Sequence, residues 1–148
     1  MSESNNIGLF HACYLITTPG LGGPTFNLNL VANTPDNTVH GFGQISAPVS
    51  PPVNITTKFH GEYFAFRLFN DTSILVLATG YPIIKWSPIL GIGPVIPPNM
   101  ELKMMLTGDW KSGTANYKYT DNSGNWREVK EAKVELIETP VLEKVNAE

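Results

Sequence analysis

Three histidines and a single cysteine are the side chains in this sequence best suited to metal binding or proton transfer. His11 and Cys13 stand two residues apart, as do His60 and Glu62, and on an extended strand that spacing puts both members of a pair on one face. His40, on a third strand, could join them inside a barrel, because zinc accepts His, Cys and carboxylate ligands. The spacing matches no zinc motif, and each His reads better as hydrogen-bonded or exposed at a strand end than as a ligand. No metal and no cofactor is therefore assigned; His11, His40, His60 and Glu62 stay as weak candidates. Cys13 reads as a small buried hydrophobe.

Other catalytic arrangements find less support. There is no Gly-x-Ser-x-Gly elbow to strain a serine nucleophile. Gly20-Leu21-Gly22-Gly23 is followed by Pro24 and a strand, whereas a phosphate cradle needs a helix N-terminus there. It reads as a hairpin loop. A glycosidase pair would have to come from Glu62, Asp71, Glu101 and Asp109, which sequence cannot place at a catalytic separation. No catalytic residue is assigned. The aromatics Tyr63, Trp86, Trp110, Tyr117, Tyr119 and Trp126, among many Asn and Thr, could line a pocket for an apolar or sugar-like ligand. Against that stands a core reading, with Tyr117, Tyr119 and Trp126 as cross-strand pairs of one hairpin.

The elements that must position these residues are strands. Leu9 to Ile16 carries His11 and Cys13. From Phe26 to Asn33, Phe26, Leu28, Leu30 and Ala32 alternate with polar residues, the pattern of a half-buried strand. Thr34-Pro35-Asp36-Asn37 supplies a turn, and Thr38 to Ser46 returns. Glycines at 41 and 43 on one face predict a bend or a close backbone approach. Asn54–Phe69 reads as one long bent strand or two strands broken near Gly61, and Asn70–Ser73 as the next turn. Ile74–Thr79, apolar on both faces, is expected in a central position. Glu101–Leu106, Gly113–Thr120 and Trp126–Ile137 complete the series, the last two joined at Asn122–Asn125. Pro140–Glu148 alone could be helical. The expected fold is all-β, an antiparallel meander of eight to ten strands closing into a barrel or stacking as a two-sheet sandwich, with the barrel preferred. Residues 8–139 form one domain, flanked by a flexible 1–7 and a charged tail at 140–148.

Composition narrows the functions this fold could serve. The 148 residues hold 10 Lys and Arg against 13 Asp and Glu, a balance that excludes a nucleic-acid binder driven by phosphate contacts. Charge is also uneven. Residues 1–100 hold seven charged side chains, Glu3, Asp36, Lys58, Glu62, Arg67, Asp71 and Lys85, and the last 48 hold the other 16. Such a charge-poor stretch must be solvated by Asn, Ser and Thr or covered by another molecule. Gly80 to Asn99 is the most unusual piece, with Ile83, Ile84, Trp86, Ile89, Leu90, Ile92, Val95 and Ile96 set among five prolines. Those prolines exclude a membrane-spanning helix, and membrane contact is not expected. The segment reads first as a loop plugging a barrel end, then as a subunit interface, and last as a surface for an apolar ligand or a membrane. With no signal peptide in view, the expected compartment is the cytoplasm, with export by another route left open.

Two stretches resemble a family of short uncharacterised bacterial proteins defined only as a domain of unknown function. One runs from Asn33-Thr34-Pro35-Asp36 through Val39-His40-Gly41-Phe42-Gly43-Gln44-Ile45 to Pro51-Pro52. The other is Asp109-Trp110-Lys111-Ser112-Gly113-Thr114-Ala115-Asn116-Tyr117-Lys118-Tyr119. The resemblance spans about Gly8 to Ile137 and implies a bacterial source and a compact domain; it brings no activity and no catalytic residues. Avidin-like and lipocalin-like barrels are similar only in their meander. The function expected first is non-enzymatic self-association, as a homo-oligomer, or partner binding through the Pro-rich loop. The alternatives are a ligand-binding barrel, and an enzyme or metal protein built on His11, His40, His60 and Glu62.

Overall fold

The computed structural model describes residues 8–20, 23–48, 52–83 and 96–138. The chain runs through eight strands: β1 (Leu9–Thr17), β2 (Thr25–Asn33), β3 (Thr38–Ala47), β4 (Val53–Leu68), β5 (Asp71–Pro82), β6 (Met100–Thr107), β7 (Ser112–Thr120) and β8 (Trp126–Glu138). Each pairs antiparallel with the next, and β8 returns to β1, which closes the barrel. Closure decides between the two expected architectures, since a sandwich would leave four edges where this sheet has a continuous ladder. No described residue is helical, and the expected helix at 140–148, like both flanking segments, lies outside the described residues.

Period-two alternation explains the packing. Inward positions carry Tyr14, Ile16, Phe26, Leu28, Leu30, Val39, Ile45, Phe59, Val76, Met100, Met104, Leu106, Tyr117 and Val134, all buried in one core. Outward positions of β2, β3 and β6 carry Asn27, Asn29, His40, Gln44, Glu101 and Lys103, all exposed. The outer face is mixed, since Phe42 and Met105 also stand outward on β3 and β6, 52 % and 39 % exposed. No helix among the described residues is long and apolar enough to cross a membrane. Eight strands enclose a space that side chains can fill, and here bulky aromatics fill it from both ends.

The barrel end holding the β2–β3, β4–β5 and β6–β7 turns is stoppered by Trp110. Its ring stands edge-on to Phe10 at 4.9 Å and to Tyr63 at 5.0 Å. The Tyr14 hydroxyl donates to the Trp110 carbonyl at 2.7 Å, tying that turn to the middle of β1. At the opposite end Phe26 packs on Tyr117 at 5.0 Å. There the buried Asn99 links elements, its Oδ1 accepting from Thr57 at 2.7 Å and its Nδ2 donating to the Thr56 carbonyl at 3.2 Å.

Of the two readings of 54–69, the single long strand holds: β4 runs unbroken across Gly61, where a Cβ would collide with the Leu77 carbonyl and its absence lets β4 and β5 coil closely together. One expectation needs correction. The turn expected over Asn70–Ser73 lies earlier, since β5 already pairs from Asp71 and Phe69 takes a left-handed φ of 60°. Ile74–Thr79 is flanked on both sides, as expected of a central strand. Its outward Leu77 nevertheless remains 37 % exposed, because one sheet closed on itself has nothing covering its outer face.

Candidate functional site

Strand register places the three histidines on the outside of the barrel. His11 lies opposite Val31, Val31 opposite His40, and His40 opposite His60, so all sit on one lateral row. The row continues through Thr79, Glu101, Lys118 and Glu128. His40 and His60 are direct cross-strand neighbours. His11 is two strands from His40, roughly 10 Å at the usual strand spacing, too far to share an ion with ligand bonds near 2 Å. Among the described residues no group of three or more His, Cys, Asp or Glu is placed to hold a metal ion. The histidines therefore do not converge inside the barrel: they face outward, and His40 and His60 are the two that meet. Cys13 is half-buried and outward rather than in the core. Its Sγ donates to Asn29 Oδ1 at 2.9 Å and lies 3.8 Å from His11 Nε2.

The five of the six aromatics that are described do not share a pocket. Tyr63 and Trp110 belong to the stopper at one end, while Tyr117 and Tyr119 point inward toward the other, with ring centroids 6.1 Å apart. Trp126 faces outward, 45 % exposed, with the Lys118 ammonium 5.9 Å from its ring centre. Tyr117 and Trp126 thus lie on opposite faces of the β7–β8 hairpin, which rules out a stack of all three. Trp86 lies outside the described residues. Burial drives the Tyr14 and Tyr117 phenols well above their ordinary range, with the Asp109 carboxylate adding to the effect at Tyr14. Both stay neutral at physiological pH. Tyr14 has its carbonyl acceptor; the Tyr117 hydroxyl has no partner in hydrogen-bonding geometry among the described residues, Thr18 being only a polar neighbour.

Two outer features remain that the sequence pattern does not isolate. The first is a shallow groove of about 730 Å³ across β4 to β7, walled by His60, Glu62, Thr79, Glu101, Lys103 and Lys118, with backbone at Gly61 and Ala78 in its floor. Its groups are partly engaged already: Lys118 pairs with Glu101 at 3.6 Å, Asn116 accepts from the Glu131 amide at 2.7 Å, and His60 stacks on Tyr81 at 6.0 Å. Only the register brings these six strand positions together, so no sequence signal could have found the groove.

The second feature is the β4–β5 hairpin, which outruns its neighbour. β4 pairs with β3 as far as Glu62, and Tyr63 donates its amide to Asn37 at 3.0 Å. Beyond that, β4 pairs only with β5, up to Leu68 opposite Asp71. The overhang carries exposed Phe64 on its outer face, beside half-buried Phe66 and Leu75. Leu75 leads on to Met105, 39 % exposed, in the next strand. At the tip Phe69 is 99 % exposed and left-handed. A bulky residue in that conformation is a genuine outlier. The Pro-rich surface expected to carry association is described only at its margins, Ile83 and Ile96; Ile84, Trp86, Ile89, Leu90, Ile92 and Val95 lie outside the described residues.

A search among curated proteins finds no match. Residues 7–126 match a family described as "Domain of unknown function (DUF1842)", which spans the barrel from β1 to the first residue of β8. With most of its length matched in this way, the chain belongs to that family.

Proposed function

We propose that this protein is a non-enzymatic β-barrel that works by association, presenting its β4–β5 overhang to a partner surface. The observation that carries the reading is Phe69, 99 % exposed at φ 60° on the tip of a hairpin whose flank is also apolar. Neither property helps the isolated fold. An exposed aromatic gains nothing from burial, and a left-handed residue with a Cβ costs about 1–2 kcal/mol. Strain retained at an exposed apolar site is the pattern of a contact surface.

The test separates association from folding. Phe69→Asn suits the positive φ at position 69, since Asn is among the few residues other than Gly that adopt it. The variant should melt a few degrees higher than the parent, while native mass spectrometry and light scattering over a concentration series show weaker assembly. A variant that is more stable and equally assembled would overturn the reading.

A second reading follows from the outer groove, whose mixed charges and hydroxyls suit a small polar ligand. Lys103→Ala should then abolish a thermal shift caused by a bound compound; a broad panel of sugars and zwitterionic metabolites giving no shift counts against it.

A further inference from the structure

The association reading leaves open what the overhang pairs with. We infer that β4 adds edge to edge onto β4 of a second copy, antiparallel, across a two-fold axis at Phe66. This rests on the proposed association and adds its geometry.

The backbone makes the first argument. Because the Tyr63 amide points toward the β3 side, alternation along the strand turns the N–H and C=O of Ala65 and Arg67 to that same side. No described residue pairs with β4 there beyond Glu62, apart from that Tyr63 bond. Four polar backbone groups are thus presented in a row, the template that an added strand uses. Ala65 and Arg67 are also exposed as side chains.

Residue identities make the second. A two-fold axis at Phe66 sets Ala65 opposite the second copy's Arg67 and Arg67 opposite its Ala65, so all four open groups on each copy find partners. Each long cation then faces a small side chain. A two-fold moved one residue forward would set Arg67 against Arg67; one moved a residue back would set Arg67 opposite Tyr63, whose amide is already bonded to Asn37, and leave the Arg67 carbonyl without a donor. On the outer face Phe66 meets Phe66 of the second copy. Aromatic pairs of this kind are favourable across a sheet. The segment 63–69 carries one cation and no anion, so the alignment brings no further charge into contact. Phe69, just past the paired stretch, would lie against the second copy's strand near Tyr63.

The experiment uses the full chain with Cys13→Ala, so that one introduced cysteine reports. Phe66→Cys sits opposite itself in a pair whose Cα atoms are about 4.5 Å apart, within disulfide reach. Mild oxidation should convert it to a covalent dimer at least tenfold faster than Phe64→Cys, which faces residue 68. Arg67→Pro removes only an outward amide and leaves the β5 ladder intact, so it should melt within a few degrees of the parent yet be monomeric. Amides 65 and 67 should exchange more slowly as protein concentration rises. A dimer that Phe69→Asn dissolves, that Arg67→Pro leaves intact and that the Phe66→Cys variant does not cross-link would overturn edge pairing while association stands. Protection of amides 65 and 67 already complete in a dilute monomer would mean that the chain covers its own edge, and would also overturn it. A monomer at every concentration would overturn both.

Discussion

Tyr14 and Tyr117 are both buried phenols inside one barrel, yet their hydroxyls have opposite circumstances. Tyr14 donates to the Trp110 carbonyl at 2.7 Å, while Tyr117 has no geometric partner among the described residues. Tyr14→Phe should therefore cost about 1–2 kcal/mol, because it strands a part-buried carbonyl and loosens the stopper. Tyr117→Phe should be neutral or stabilising by up to about 1 kcal/mol, since it removes an unpaired polar atom. Urea midpoints on the two variants check the contrast, and equal losses would refute it. Turn carboxylates set the acid response. Asp109 is held below its ordinary value by the Thr107 hydroxyl and then the Lys111 amide; Asp121 is held down by Arg127, whose Nε lies 2.8 Å away, and by the Asn125 amide. A depressed carboxylate stabilises the fold above its unfolded value, near 3.8, and loses that contribution as pH falls through the folded one. The melting temperature should hold from pH 7 to about 5 and fall below about 4. Asp109→Asn with Asp121→Asn should flatten the acid limb.

At the scale of elements the glycines decide how tightly strands coil. A Cβ at Gly61 would collide with the Leu77 carbonyl, and one at Gly41 with the Asn29 carbonyl. Backbone cannot step aside as a flexible side chain can, so Gly61→Ala should destabilise by several kcal/mol, read as loss of the cooperative thermal transition. Gly20, whose Cβ would meet nothing within 4 Å, is the control: alanine there should cost only about 1 kcal/mol for its left-handed φ. The glycine pair at 41 and 43 is legible in the sequence as a bend or a close approach, and the close approach is what the structure has: a Cβ at Gly41 would meet the Asn29 carbonyl and one at Gly43 the Phe26 ring. The inward and outward faces of each strand are legible too: Phe26, Leu28 and Leu30 against Asn27 and Asn29 admit one period. Register is not. That His40 meets His60 while His11 stays two strands away depends on the lengths of the β1–β2, β2–β3 and β3–β4 connections and on a left-handed Asn37, which hydrophobic pattern does not encode. The site suffers most from this, since every expected cluster depends on which residues face one another.

The whole molecule is a ring of ladders, and its last link is β8. The family match ends at residue 126, the first of that strand, yet β8 pairs with both β1 and β7 and buries Val129, Ala132 and Val134. Burying the two valines alone contributes roughly 3–6 kcal/mol, against a total stability of about 5–15 kcal/mol for a domain. Removing β8 also bares the edges of β1 and β7, each able to recruit another chain. β8 is the charged end of the sequence as well. Exposed Lys130, Lys133 and Glu135 lie along it, which suits a strand that arrives last and must not pair promiscuously before closure. A chain ending at Asn125 should therefore lose its cooperative melt and sediment as aggregate. Supplying residues 126–138 as a separate peptide during refolding should restore a soluble barrel, with the Tyr14 to Trp110 stopper reporting through Trp110 fluorescence. A truncated chain that stays folded and monomeric would mean that seven strands suffice, and that β8 covers a sheet already stable without it.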